Sequence, residues 1–207
     1  MATLADLRAR IADDLARDDL ATQIADAIRD AVRRYEGERF WFNEFWRVTA
    51  TLSASAQALA LADLPIAPVA VARVRLRIGN GVWSELRREN AACIAAAQDV
   101  AQSAEPAAWC IAADSLQFDT SADRDYELLL DGVRKLSTAS AATDTSVWMN
   151  DARDLIRAAT EKALYLDVIK DAEQATACAA REAEALAMLR AKSNARAAGR
   201  SVRSSWF

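Results

Sequence analysis

Residues 69–86 read VAVARVRLRIGNGVWSEL, and this stretch decides the class of the fold. From residue 73 to 78, Val, Leu and Ile alternate with arginine, which is the period of a strand with one buried face. The dipeptide Asn80-Gly81 follows, and then a second short run, a combination typical of a β-hairpin. The sequence therefore predicts antiparallel strands in the middle of the chain.

Further strand signals surround this hairpin. Residues 45–52 are aromatic and β-branched, and all three prolines of the chain fall between 65 and 106. Other short runs with strand character occupy 57–61, 108–112, 116–119 and 126–130. We expect a β-rich insertion over residues 45–136, with one short helix at 89–102.

The segments on both sides of the insertion carry a helical period. Near the N-terminus, apolar residues recur at spacings of three and four behind Thr3, which is placed as an N-cap. They are Leu4, Leu7, Ile11 and Leu15. A second apolar run spans 20–35, and Gly37 is a credible stop.

The C-terminal part begins after a Ser/Thr/Ala-rich linker at 137–146. Residues 150–192 contain neither Pro nor Gly, and a break between two helices is expected within 167–173. The chain is thus predicted to be α+β and mainly helical. Helices at 3–36 and 150–192 form a bundle with a central antiparallel insertion, all within one domain over residues 1–192.

The last residues have an unusual composition. From Arg190 to the end there are five basic residues and no acid. Because the net charge of the whole chain is −4, the residues before Arg190 carry a net charge of −9. Two large aromatic residues close the sequence, and exposed aromatic surface is costly unless something covers it. We therefore predict an extended C-terminal arm over 193–207 that docks on a partner. The residues expected to carry the docking are Arg196, Arg200, Arg203, Trp206 and Phe207.

Composition excludes several classes of function. Without histidine there is no Ser-His-Asp triad, no Cys-His pair and no imidazole metal ligand. The three cysteines are far apart, which favours buried thiols in a reducing compartment. No apolar run reaches the ~18–20 residues of a membrane helix, and the N-terminus carries no signal-peptide pattern. We expect no membrane association and no secretion.

Candidate chemistry is sparse. Acidic residues at 114, 119, 123 and 125 could suggest a hard-cation loop, but acidic turn residues between strands are ordinary, and no metal or cofactor is predicted. Glu36, Glu38 and Glu44 lie beside an aromatic cluster and leave open a peptidoglycan-cleaving hydrolase. The arginines at 73, 75 and 77 could meet phosphate or pair with acidic residues on a neighbouring strand. A small DNA-binding protein that uses its first two helices is a further alternative. No catalytic constellation is visible, so the chain is not expected to be an enzyme.

The order of these segments resembles a known family. It runs through a capped N-terminal helix, an aromatic junction at 40–51, the Asn-Gly hairpin, a late helix pair after Trp148 and a basic tail. The Leu64-Pro65 pair and the segment Glu105-Pro106-Ala107-Ala108-Trp109 fall between these features. This pattern, which covers nearly the whole chain, is similar to the head–tail adaptor (connector) proteins of tailed bacteriophages, in particular the tail accessory factor type.

The resemblance implies a structural virion protein rather than an enzyme. Such a protein forms a ring, commonly dodecameric, beneath the portal and joins the head to the tail. DNA passes through the central channel without specific binding during genome ejection. The expected partners are identical subunits, the portal protein and a tail or nozzle protein. The expected location is the head–tail junction, after an interval in the host cytoplasm, and the expected portal contact is the arm at 193–207.

Overall fold

The computed structural model describes residues 3–100, 102–136 and 145–200, with side chains up to residue 197. The chain divides into a strand unit, Glu44–Lys135, and a helical unit made of the residues before 44 and after 135. Within the described ranges there are six helices and two four-stranded sheets, so the predicted α+β class is confirmed. Most of the predicted linker at 137–146, namely 137–144, lies outside the described residues.

The helices are numbered in chain order. They are α1 (Leu4–Leu15), α2 (Ala21–Tyr35), α3 (Ala91–Gln98), α4 (Val147–Asn150), α5 (Arg153–Leu164) and α6 (Ala172–Arg200). All but α3 belong to the helical unit. A π-helical turn, Tyr165–Ile169, joins α5 to α6, and Lys170 takes a left-handed conformation with φ of 65°. The predicted break within 167–173 is therefore confirmed.

The N-terminal cap forms as the sequence predicts. The Thr3 hydroxyl accepts a hydrogen bond from the Asp6 backbone, and the Asp6 carboxylate accepts one from the Thr3 backbone. This reciprocal arrangement satisfies two of the amide groups that a helix end leaves unpaired. It fixes the start of α1, whose four spaced apolar residues are all buried.

The predicted extended conformation of residues 193–200 is wrong, because α6 continues through Arg200. Four of the residues from 191 to 198 are alanine, the strongest helix former. Ser193 is buried, and its hydroxyl donates to the Leu189 carbonyl at 2.8 Å instead of breaking the helix. The remainder of the predicted arm, 201–207, lies outside the described residues.

One hydrophobic core holds the helical unit together. Buried residues from α1, α2, α4, α5 and α6 meet in it, together with Phe40 from the turn after α2. The closest-packed helix pair is α5 with α6, and α5 also packs on α2 and α1. Helix α5 is therefore the central element of this unit.

The strands are also numbered in chain order. They are β1 (Glu44–Leu52), β2 (Ala58–Ala60), β3 (Pro68–Arg77), β4 (Ser84–Glu85), β5 (Arg87–Arg88), β6 (Ala108–Ala112), β7 (Ser115–Phe118) and β8 (Tyr126–Arg134). One sheet has the order β1-β8-β3-β4 and the other β2-β7-β6-β5. Buried residues of both sheets form one core cluster.

Strand β8 is the centre of the first sheet. Its Asp131 accepts a hydrogen bond from the Arg47 backbone, 2.8 Å away, at a bulge in β1 where φ is 56°. The same carboxylate pairs with Arg75 of β3 at 2.8 Å. One buried acid therefore fastens β8 to both neighbouring strands.

The second sheet departs from the prediction that the insertion is entirely antiparallel. Strands β5 and β6 pair in parallel, Arg87 opposite Ala108 and Arg88 opposite Trp109. Helix α3 connects the two strands, and a crossover of this kind is what a parallel pair requires. All other strand pairs of the two sheets are antiparallel.

The predicted hairpin forms between β3 and β4, with Arg75 opposite Glu85 and Leu76 opposite Ser84. Its connection is longer than a two-residue turn and runs from Ile78 to Trp83. Gly79 rather than Gly81 adopts the positive φ, at 52°. The Asn-Gly signal thus predicts the hairpin but not the turn.

Candidate assembly surface

The aromatic turn after α2 is rigid. Asn43 is fully buried; its side-chain oxygen accepts from the Phe40 backbone at 2.8 Å, and its amide donates to the Glu38 carbonyl at 2.7 Å. Phe42 stacks on Phe40 and meets the ring of Trp148 edge-on, with centroids 5.3 Å apart. These contacts fix the shape of residues 38–43.

Residues of this aromatic turn bind the C-terminal part of α6. The Trp41 backbone donates to the Ser193 hydroxyl at 3.1 Å, and Arg190 pairs with Glu38 at 2.7 Å. The Arg196 guanidinium lies 4.7 Å from the centre of the Trp41 ring, a cation–π contact. Because three separate contacts hold residues 190–196, the direction in which α6 leads the chain is fixed.

The five residues predicted to dock on a partner divide into three groups. Arg196 is exposed and stacked on Trp41. Arg200 is the last residue of α6. Arg203, Trp206 and Phe207 lie outside the described residues. The structure therefore describes the base of the predicted docking element, which is a helix anchored at its side.

Sequence reasoning missed two buried glutamates between α5 and α6. The first, Glu161, is 2% exposed and pairs with Arg157 at 2.7 Å and with Arg181 at 3.3 Å. Arg157 also pairs with Asp14 of α1. Burial raises the pKa of Glu161, and Asp14, which shares Arg157 with it, acts in the same direction.

The second buried glutamate, Glu182, accepts hydrogen bonds from Tyr35 at 2.5 Å and from Lys162, and pairs with Arg34 at 3.3 Å. Burial opposes ionisation of this carboxyl, but the bonds from Lys162 and Tyr35 prevail and lower its pKa. Glu182 therefore ties α6 to α2 and α5. A signal was available, since Glu182 falls on the apolar side of an Ala-rich helix, but its partners are distant in sequence.

Beside Glu161, the faces of α5 and α6 leave a groove of about 280 Å³. Its apolar lining is made by Leu155, Ala158, Ala185, Met188 and Leu189. Acidic residues Asp151, Asp154 and Glu184 line it as well. Met188 is 55% exposed, which is unusual for a residue in a core-facing helix pair. We name this feature the α5–α6 groove.

The arginines of β3 are occupied within the strand unit. Arg73 pairs with Glu85, Arg75 with Asp131 and Arg77 with Glu127. The alternative in which these arginines pair with acids on neighbouring strands is confirmed. Their charge is balanced locally, so this strand is a poor platform for the phosphate backbone.

Several of the acidic residues singled out as candidate ligands or catalysts have structural partners. Asp119 accepts from the Ala107 backbone, Asp125 from the Ala54 backbone and Asp123 from Arg124 and Tyr126. In the part of the chain that the structure describes, no group of three potential ligands could hold a metal ion. Glu38 is held by Arg190.

The prediction of buried thiols holds for Cys110 and Cys178 and is wrong for Cys93, which is exposed on α3. Burial raises the pKa of both buried thiols. Among the described helices, none is long and apolar enough to cross a bilayer.

Comparison with known proteins agrees with the resemblance in the sequence. A family model described as SU10 adaptor protein matches residues 2–205. No curated protein matches the chain. The matched range spans both units and the base of the predicted docking element, so the resemblance to phage adaptors is confirmed. The chain belongs to the SU10 adaptor protein family, a family of phage head–tail adaptors.

Proposed function

We propose that this chain forms a ring beneath the portal, through which DNA passes, and grips the portal with its C-terminal segment. Family membership makes it a structural component of the virion at the head–tail junction, in contact with head and tail components. The observation that supports the proposed grip on the portal is the length and anchoring of helix α6. It is a 29-residue helix clamped at residues 190–196, and it leads directly into the basic, aromatic end of the chain.

The anchored helix determines where the docking residues begin. Because Trp41 and Glu38 fix α6 from the side, the segment after Arg200 starts from a defined point instead of a long flexible linker. A defined starting point reduces the entropy lost when the segment orders on a partner. We assign Arg200, Arg203, Trp206 and Phe207 to portal contacts, with Arg196 at the base.

The charge distribution supports one role for the C-terminal segment, portal binding, and another for the rest of the chain, lining the channel. The positive terminal residues suit carboxylates on the portal, whereas the rest of the chain carries −9. The β3 arginines are neutralised by their own ion pairs. A channel lined by such a body lets DNA slide, because tight binding needs cations that release counterions.

The number of identical C-terminal segments in a ring strengthens the attachment to the portal. Each short segment loses conformational entropy on binding, so its individual affinity is modest. In a ring of identical subunits, commonly a dodecamer in this type of adaptor, the first attachment raises the effective concentration of the rest. We infer that the ring is held by avidity and that the tail or nozzle protein binds its opposite face.

The test uses the full chain with Trp206→Ala and Phe207→Ala together, mixed with the portal protein of the same genome. We expect the apparent affinity to fall at least about tenfold, because two aromatic anchors in every subunit are lost. The matched control is Val82→Ser, which removes an apolar side chain that is 89% exposed in the β3–β4 connection. Equal binding by both variants would contradict the proposal.

A second pair of variants tests the charge component. Arg203→Glu should weaken portal binding, and the remaining binding should depend less on salt than that of the wild type. Arg33→Glu makes the same charge change on an exposed arginine of α2 and should bind as the wild type does. A loss of the same size in both variants would mean that total charge, not the terminal segment, controls attachment.

A further inference from the structure

We propose that two free copies of this chain pair through the exposed edge of β1, with residues 48–52 of each running antiparallel about a two-fold axis at Ala50. The pairing goes beyond the proposed function and does not depend on it. Three features of the strand unit support it: a long strand edge without a neighbour, a sequence that is complementary to itself, and charges that meet across the axis.

Strand β1 lies at the edge of the first sheet, and in the described sheets β8 is the only strand beside it. After the register shift between Phe45 and Val48, residues 48–52 pair with β8 without interruption. In an antiparallel pair, about half of the backbone amides and carbonyls point away from the neighbouring strand. Those of residues 48–52 that point away from β8 make no hydrogen bond with another described residue. This edge can therefore accept one more strand.

The other sheet edges are short or interrupted. Strands β2, β4 and β5, which form the remaining edges, have three, two and two residues. The part of β3 that extends beyond β4 begins with Pro68, which has no amide hydrogen, and two register shifts interrupt its pairing with β8. Short strands, proline and irregular pairing protect an edge from other chains. The edge at 48–52 has none of these features.

The sequence of residues 48–52 is complementary to itself. It reads VTATL, and an antiparallel copy centred on Ala50 places Val48 opposite Leu52. The same register places Thr49 opposite Thr51, and cross-strand threonine pairs are stabilising. Val48 and Ala50 pack against the core of the strand unit but are only half-buried. A second copy therefore adds apolar neighbours on one face of the sheet and two threonine pairs on the other.

Two charge pairs form at the ends of the segment. Arg47 and Asp125 are exposed, and neither makes an ion pair with any residue that the structure describes. Because Leu52 pairs with Tyr126, Arg47 of one copy lies two strands from Asp125 of the second copy. That separation, about 10 Å between Cα atoms, is within the combined reach of the two side chains. Both point away from the core, since Val48 and Tyr126, which follow them, pack against it.

The pairing should be weak and reversible. It uses five strand residues a copy, whereas stable complexes use about 20–30 residues a side. Covering the β1 edge keeps free subunits from aggregating through it, because open strand edges accept other chains. In the proposed ring the contacts run head to tail, so a two-fold pair must open before its subunits join. This consequence alone rests on the proposed function.

Disulfide cross-linking in the full chain tests the register. All variants carry Cys93→Ser, which removes the exposed thiol. Nitrogen-15-labelled Thr49→Cys is mixed with unlabelled Thr51→Cys and oxidised gently without the portal protein, and mass spectrometry identifies the linked peptides. We expect the labelled–unlabelled disulfide to form at least about tenfold faster than a disulfide in either variant alone. The reason is that residue 49 lies opposite residue 51, whereas two copies of residue 49 lie farther apart than the ~7 Å that a disulfide spans.

The control for random collision is Val82→Cys, because that side chain is 89% exposed in the β3–β4 connection. Equal rates for the mixture and for each variant alone would overturn the proposal, as would a mixture no faster than Val82→Cys. A wild-type chain that sediments as a monomer at every concentration would overturn it as well, and this measurement needs no substitution.

Charged variants at the same two positions give a matched comparison. Thr49→Glu with Thr51→Lys places opposite charges across the axis, whereas Thr49→Lys with Thr51→Lys places like charges there. Self-association measured by sedimentation equilibrium should be at least about tenfold weaker for the second variant. Equal association of the two variants would reject the antiparallel register.

The charge pairs at the ends have their own control. Arg47→Glu should weaken self-association, because it places two acids near each other at both ends of the segment. Arg33→Glu makes the same change on an exposed arginine of α2 and should leave self-association unchanged. Equal effects of the two substitutions would contradict the proposal.

These measurements are independent of the portal. A chain that forms the 49–51 disulfide but binds the portal equally well without its terminal aromatic residues keeps the pairing and loses the proposed function. A chain that binds the portal through its terminal segment without forming that disulfide does the opposite.

Discussion

The helical unit and the strand unit each have a central element, α5 and β8, but different interactions hold that element to its neighbours. In the helical unit, Glu161 and Glu182 lie between packed helices and bind five charged or polar partners from α2, α5 and α6. In the strand unit, the buried acid Asp131 fastens β8 to β1 and β3, and the more exposed Glu127 of β8 pairs with Arg77 of β3. Backbone hydrogen bonds between the strands and a shared apolar core complete the unit. Ion pairs between residues distant in sequence thus join the helices, whereas backbone hydrogen bonds already join the strands.

The largest effect should come from the close packing at the centre of the strand unit. A β-carbon at Gly132 would lie inside the contact distance of the Ala70 carbonyl oxygen and 2.9 Å from a Phe45 ring carbon. Gly132→Ala should therefore destabilise the protein by about 4 kcal/mol or prevent folding, as measured by chemical unfolding. Gly37→Ala is the control, because nothing lies within 4 Å of its β-carbon. Equal stability of the two variants would contradict the described packing.

The helical unit should respond almost as strongly to the loss of a buried carboxylate. Glu161→Ala leaves Arg157 beside Asp14 without its second partner and also removes the pair with Arg181. We expect a loss of about 3 kcal/mol in the free energy of unfolding. Glu173→Ala, on the exposed first turn of α6, should change it by less than about 0.5 kcal/mol.

The two buried glutamates should show opposite pH dependence. Because the pKa of Glu182 is lowered in the folded state, its contribution is present above the unfolded value near pH 4.5 and is lost as the pH falls through the folded pKa. The stability difference between wild type and Glu182→Gln should thus shrink on acidification. The pKa of Glu161 is raised in the folded state, so its contribution to stability is largest at low pH. The stability difference between wild type and Glu161→Gln should therefore decrease as the pH rises through the folded pKa.

Unfolding curves at pH 7 and pH 4 measure both differences. If the stability difference from the wild type changed in the same direction with pH for both variants, the two carboxyls would experience the same surroundings. That result would contradict the distinction between a glutamate that shares its arginine with Asp14 and one that holds Lys162 and Tyr35.

The smallest effects distinguish buried from exposed pairs within the strand unit. Arg75→Ala leaves Asp131, which is 4% exposed, with the Arg47 amide alone, and should cost about 2 kcal/mol. Arg73→Ala removes a pair with Glu85 in which both side chains are exposed, and should cost less than about 0.5 kcal/mol. Urea unfolding of the two variants measures the contrast. If Arg73→Ala were the more damaging, the described roles would be reversed.

Local signals in the sequence predicted most of the elements. The Thr3–Asp6 cap, the hairpin after β3 and the break before α6 each depend on residues close together in the chain, and each is confirmed. The parallel pairing of β5 with β6 was not predictable, because β5 has only two residues and carries no periodicity. The extent of α6 was missed because the residues after 192 show no apolar periodicity, while contacts with Trp41 hold the helix together.

The candidate surfaces were predicted only in part. The basic and aromatic composition of the terminal segment is a property of adjacent residues and could be identified directly. The clamp at Glu38 and Trp41, the buried pair Glu161 and Glu182, and the α5–α6 groove arise from residues that tertiary packing brings together. Pairs such as Glu38 with Arg190 and Lys162 with Glu182 join residues that are distant in the sequence, so a single sequence does not show that they meet.

The central claim is that an adaptor subunit attaches to the head through the end of α6. Electron microscopy of the full chain, alone and mixed with the portal ring of its own genome, tests this most directly. The account predicts a ring of subunits on the portal in the mixture, with the C-terminal ends of α6 at the contact. A mixture in which the subunits remain apart from the portal, or attach to it through the strand unit, would contradict the account.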